Sequence, residues 1–232
     1  MTDREGPELF TAIHSFEDDA ESVLKVMKLS GATMQEVCRR GLAQYLTATP
    51  YHPANAPGTF MYHGLVQAMR ELLVPAGWEL AEESLSFTFN TDLSIALAVS
   101  SGNIHAGDPT QNPSFKYPKG PTTQAAVVGN ASQLGLFDGV PGFSEYAVSS
   151  FPKRIEFDTF KTWWLLHHVD RGKEVMRAEL SLPVRIGNSG EMNQWESRVI
   201  LEPIPFDESP TTDRADDFAA GPDFDVEVRK KA

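Results

Sequence analysis

Apolar residues recur at helical spacing in the first third of the chain and at every second position later on. In "EDDAESVLKVMKL", residues 17 to 29, Ala20, Val23, Leu24 and Met27 fall on one helical face, with acids in the first turn where they favour the helix dipole. After "SGA", Thr33 and Glu36 have the spacing of a capping box, and Met34, Val37, Cys38, Leu42, Tyr45 and Leu46 predict a second helix ending near Thr47. Prolines at 50, 53 and 57 make "PYHPANAPG" a loop. A third helix is expected from about Phe60 to Leu73, its apolar set spread over nearly half the surface as for a helix lying on a sheet, and Pro75 and Gly77 end it.

From Leu85 the period changes to two. Leu85, Phe87 and Phe89, then Leu93, Ile95, Leu97 and Val99 after a turn at "NTD", predict a hairpin. Strands resume with "TFKTWWLLHHVD", a turn at "RGK" and the return "EVMRAELSLPVRI". In that return Met176, Ala178, Leu180, Leu182 and Val184 alternate with Arg177, Glu179, Ser181 and Arg185, the pattern of a half-buried strand. "WESRVILEPI" reads as one more strand.

Between these strand blocks, from about 100 to 142, prolines at 109, 113, 118, 121 and 141 and many Gly, Asn, Ser and Thr leave no regular pattern. Structureless loops of this length inside a domain are usually functional or disordered. From Asp207 onward the chain is acidic without apolar periodicity, the composition of a disordered tail. The expected architecture is α+β: N-terminal helices packed on a mainly antiparallel β-sheet, with a long Pro/Gly-rich loop and an acidic tail. One domain over 1–206 and a tail over 207–232 account for the chain.

An apolar fraction of 41% in 232 residues is enough for a real core. The net charge of −12 argues against wrapping nucleic acid with the whole surface, while leaving room for a local basic patch. Cys38 is the only cysteine, so neither an internal disulfide nor a thiolate-rich zinc site is available. The acidic start "MTDREGPELF" and the lack of a long apolar run point to a cytoplasmic protein with no membrane partner.

Three groups of residues offer chemistry. His167, His168 and Asp170 lie on one strand, where alternation lets His168 and Asp170 share a face and sends His167 to the other. A two-residue connection to the next strand puts His167 across from Met176; a three-residue one with a bulge at Gly172 turns His168 toward the core instead. A strand histidine beside two tryptophans is more often structural than catalytic. Histidines 14, 52, 63 and 105 show no metal-ligand spacing, so no metal or cofactor is expected. In "YPKGPTT" Gly120 follows Lys119, unlike a phosphate-binding loop, which leaves Lys116 and Lys119 as solvated charges or nucleic-acid phosphate contacts. Arg39 and Arg40, on the second helix of the pair 17–47, are candidate DNA contacts, although they lie beyond the first turn that usually meets base edges.

The fourth feature sits inside the irregular stretch. Gln133-Leu134-Gly135-Leu136-Phe137 places three large apolar residues among Gly, Asn and Ser. The pentapeptide resembles, at all four specified positions, the Gln-Leu-x-Leu-Phe motif by which bacterial polymerases, mismatch-repair proteins and replication regulators dock on the replication sliding clamp. Leu136 and Phe137 suit an apolar cleft, Leu134 a shallower one, and the Gln133 amide both donates and accepts at its edge. "HPANAPGT", "YPKGPTT" and "WWLLHH" resemble segments of poorly characterised bacterial proteins, some carried on plasmids or other mobile elements. The resemblance implies a non-enzymatic, clamp-binding protein that reaches DNA through the clamp, in replication, repair or their inhibition. The alternatives are a DNA-binding regulator using helices 17–47 and a hydrolase built on His168 and Asp170.

Overall fold

The computed structural model describes residues 11–16, 18–82, 85–117, 119, 121–134, 160–186 and 192–208. A short strand β1 (Ala12–His14) leads into three helices, α1 (Ala20–Val26), α2 (Gly31–Leu46) and α3 (Ala56–Leu73). Then come β2 (Glu79–Glu82), β3 (Ser86–Asn90) and β4 (Ile95–Ser101), helix α4 (Pro121–Leu134), and β5 (Lys161–Asp170), β6 (Val175–Ile186), β7 (Met192–Ile200) and β8 (Ile204–Pro205).

The helix boundaries follow local chemistry. Ser30, rather than Thr33, caps α2: its Oγ accepts the Thr33 N–H at 3.1 Å, while Glu21 reaches across from α1 to take the Gly31 N–H at 2.8 Å. Glu36 is engaged with Arg40 instead of closing a capping box. Helix α3 begins at Ala56, a turn before Phe60, because Pro57 falls in the first turn, where a missing N–H costs nothing. Where α2 crosses α3, a Cβ on Gly41 would stand 2.4 Å from a Leu65 methyl, so only glycine permits this approach.

The eight strands form one sheet in the order β1-β7-β6-β5-β4-β3-β2, with β8 added against β6. It is mixed rather than uniformly antiparallel, since β4 runs parallel to β5 and β1 parallel to β7. The β4–β5 crossover is the segment that contains α4. Alternation sorts the side chains into two cores. Leu97, Val99, Trp163, Leu165, Met176, Ala178, Leu180 and Val199 meet α1 to α3 on one face. Phe87, Ala96, Ala98, Trp164, Leu166 and Trp195 meet Ala106, Phe115 and Val127 on the other. Both faces are therefore covered, and the half-buried pattern expected for β6 is corrected: Glu179 and Ser181, at its polar positions, are fully buried.

The expectation of an irregular stretch over 100–142 is also corrected at α4. Pro121 opens this helix, and the side chains of Thr123, Ala126, Val127 and Asn130, buried together with Gly129, recur at helical spacing. Two of the four are polar, so an apolar-only pattern does not reveal them. Residues 135–159 and the tail from 209 lie outside the described residues.

Candidate functional site

Asn130 holds α4 to the sheet. Strand β6 cannot donate at Pro183, and its register against β7 shifts there. The Asn130 amide fills the gap between β5 and β6: Nδ2 donates to the carbonyls of Thr162 at 2.9 Å and Pro183 at 2.8 Å. Its Oδ1 accepts the Thr162 N–H at 2.7 Å. The side chain is fully buried, and these three bonds fix which end of the amide is which. Gln133 and Leu134, the first two residues of the clamp-type pentapeptide, follow one turn later as the last two positions of α4. Gly135, Leu136 and Phe137 lie outside the described residues.

On the same side of the sheet, residues 102–117 lie across β6 and β7 and are fastened by a buried ion pair. Arg198 meets Glu179 through Nε at 3.0 Å and Nη2 at 2.5 Å. Its remaining donors reach the carbonyls of Gln111 at 2.8 Å and Asp108 at 2.9 Å. Glu179 also accepts from Ser181 Oγ and from the Gly107 N–H. Gly107 has φ +72°, and a Cβ there would stand 2.7 Å from Arg177 Cβ, so this approach needs glycine. Trp195 Nε1 donates to the Pro113 carbonyl at 3.2 Å, and Phe115 packs edge-on against Trp164. With every strong donor and acceptor of the pair engaged, this cluster positions the loop.

The loop, once fastened, brings separate cations to one rim of the sheet. Lys119 Nζ donates to Ser100 Oγ at 2.6 Å and sits 4.7 Å from the Phe115 ring centre. Burial pushes its pKa down. Lys116 is exposed and lies over the Tyr117 ring. Arg177 donates to the Ile104 carbonyl at 2.5 Å and stands 3.8 Å from Asp108 Oδ2. His168 pairs in register with Arg177 across β5 and β6; burial first, then the Arg177 charge, lowers its pKa.

The histidine pair behaves as strand parity requires, but the connection is neither of the two lengths anticipated. Asp170 pairs with Val175, so Arg171 to Glu174 form a four-residue turn and His167 lies opposite Ala178 rather than Met176. His167 is the buried member, and burial drops its pKa to about 4. Asp170 Oδ1 accepts the N–H groups of Gly172 and Lys173, so its carboxylate caps the turn instead of orienting His168. Among the described residues no group of three or more His, Cys, Asp or Glu is arranged to hold a metal ion.

In the helix pair, Arg40 is engaged with Glu36 and Glu71, each at 2.8 Å, which leaves it poorly placed to meet DNA. Arg39 is half-buried beside it. Among the described residues, no helix is long and apolar enough to cross a membrane. Comparison with known proteins returned no matching family, no matching curated protein and no matching solved structure. Pattern reading missed Asn130, Glu179, Arg198 and Arg177. Each is polar at a position whose burial depends on what covers the far face of the sheet.

Proposed function

We propose that this protein docks on the bacterial replication sliding clamp through Gln133, Leu134, Leu136 and Phe137, as a non-enzymatic clamp partner acting in DNA replication or repair, or in their inhibition by a mobile element. The observation that carries the reading is the four-position match of "QLGLF", which starts at the end of a helix whose preceding turn is bonded to the sheet. A linear motif needs an anchored root and a free end. Asn130 supplies the root, and helix ends open at small cost because their last carbonyls lack intrahelical partners. Docking in an extended form asks two residues of α4 to unwind. The capped state of Asp170 and the pairing of Arg40 leave the hydrolase and DNA-reading alternatives with less support.

The test is binding of the intact chain and of a peptide spanning residues 128–140 to a purified bacterial clamp. Both should bind with dissociation constants on the order of micromolar, about −8 kcal/mol. Leu136→Ala with Phe137→Ala removes two apolar anchors worth on the order of 2 kcal/mol each and should weaken binding at least about a hundredfold. The melting temperature of that variant should stay close to wild type. Failure of the intact protein to bind, together with a markedly lower melting temperature in the variant, would show that the pentapeptide is a core staple.

A further inference from the structure

One serine hydroxyl of the sheet has a lysine amine as its partner. Lys119 Nζ lies 2.6 Å from Oγ of Ser100, near the end of β4, where pairing with β5 fixes the serine backbone. The other acceptor within reach of that hydroxyl, the Ser101 carbonyl, stands at 3.4 Å. Lys119 is held in turn: its Nζ lies 4.7 Å from the centre of the Phe115 ring, and its carbonyl accepts from Gln124 Nε2 of α4 at 2.9 Å. Phe115 is itself buried against Trp164. Among the described residues Lys119 forms no ion pair, and a hydroxyl and a ring face replace a carboxylate poorly for a half-buried ammonium. Burial lowers the Lys119 pKa from its ordinary 10.5, which raises the share of neutral amine.

When Nζ is neutral the hydroxyl donates and the amine accepts, the arrangement of a serine nucleophile with a lysine base. We propose that Ser100 and Lys119 form a nucleophile–base pair for acyl transfer from short-chain esters. Ser100 is only 5% exposed, which restricts the acyl group to a small one such as acetyl. Lys119 Nζ takes the Oγ proton while Oγ bonds to the ester carbonyl carbon, whose π pair moves onto the carbonyl oxygen. Collapse of this adduct breaks the bond to the alkoxy oxygen, which leaves as an alcohol with the proton from Nζ. Water then attacks the acyl-serine, Lys119 relays its proton to Oγ, and the acid departs with Ser100 restored. The pair shares no residue with the pentapeptide. It replaces the non-enzymatic part of the reading above and leaves clamp docking to its own test.

The test is hydrolysis of p-nitrophenyl acetate by the intact protein, with the protein-free rate subtracted. In parallel, mass spectrometry maps the adduct left by a small alkyl fluorophosphonate, which serine nucleophiles do not turn over. The adduct is expected on Ser100, and the hydrolysis rate should rise with pH and level off below 10.5 as the neutral amine becomes fully populated. Ser100→Ala should remove both signals. Lys119→Arg keeps a cation beside Phe115 and a donor for Ser100 but holds its proton throughout this range. It should therefore slow both reactions about a hundredfold or more and abolish the rise with pH. The proposal is overturned if the wild-type protein releases no nitrophenol, or if the fluorophosphonate labels other side chains and leaves Ser100 free. It is equally overturned if Lys119→Arg, folded by circular dichroism, reacts at Ser100 as fast as wild type.

Discussion

Replacing Asn130 with aspartate alters one atom and should make the stability of the protein depend on pH in a new way. Oδ1 can still accept the Thr162 N–H, but the atom that donated to the Thr162 and Pro183 carbonyls becomes an oxygen facing two oxygens. In Asn130→Asp the buried carboxyl must therefore take up a proton, which restores one of the two lost donations. Its folded pKa is raised above the unfolded value of about 3.9, so the penalty grows as pH rises past that value, by about 1.36 kcal/mol per unit. At pH 7 this amounts to roughly 4 kcal/mol, to which the unrecovered hydrogen bond adds about 1 kcal/mol. That is a large part of the 5–15 kcal/mol typical of a folded protein, on the order of what one variant can bear. The assay is urea unfolding of wild type and variant at pH 5 and pH 7, compared as a difference so that titrations common to both cancel. The destabilisation should be smaller at pH 5 by roughly 2.7 kcal/mol. An equal destabilisation at both pH values would refute the placement of the Asn130 amide between two carbonyls.

Arg198→Met should cost roughly 3–5 kcal/mol in urea unfolding, because Glu179 is left buried without its partner, and the double variant with Glu179→Leu should recover more than half of that loss. A single-variant cost below about 1 kcal/mol would argue against the buried pair. Acid should destabilise the wild-type protein through His167, whose pKa is about 4 when folded against 6.5 when exposed. The unfolded chain binds the extra proton between those values, so this contribution is complete above pH 6.5 and is lost as pH falls toward 4, by roughly 3 kcal/mol in total. His167→Gln should flatten that part of the urea midpoint profile, and an unchanged slope would count against burial of the ring.

The sequence alone determined the elements whose faces are apolar. Helices α2 and α3, the β3–β4 hairpin and the β5–β6 pair were legible because one set of residues at a regular period must leave water, whatever it packs against. The opposite orientations of His167 and His168 were legible for the same reason, since strand alternation is local geometry. The pentapeptide match, at Gln133, Leu134, Leu136 and Phe137, is also a property of sequence, because a linear motif carries its chemistry within a few residues. What only the tertiary structure decided is the far face of the sheet. Helix α4 shows its period through Thr123 and Asn130 as much as through Ala126 and Val127, and those polar residues become core residues only where the helix packs on the sheet, Asn130 by bonding to strand backbone. Glu179 and Arg198 read as solvent positions until residues 102–117 close over them. His168 on β5 and Arg177 on β6 meet across the sheet, and the loop that follows β4 brings His105 and Lys116 near them, although these segments are far apart in the chain. Charges that meet only through long-range pairing leave no spacing in the sequence to be read.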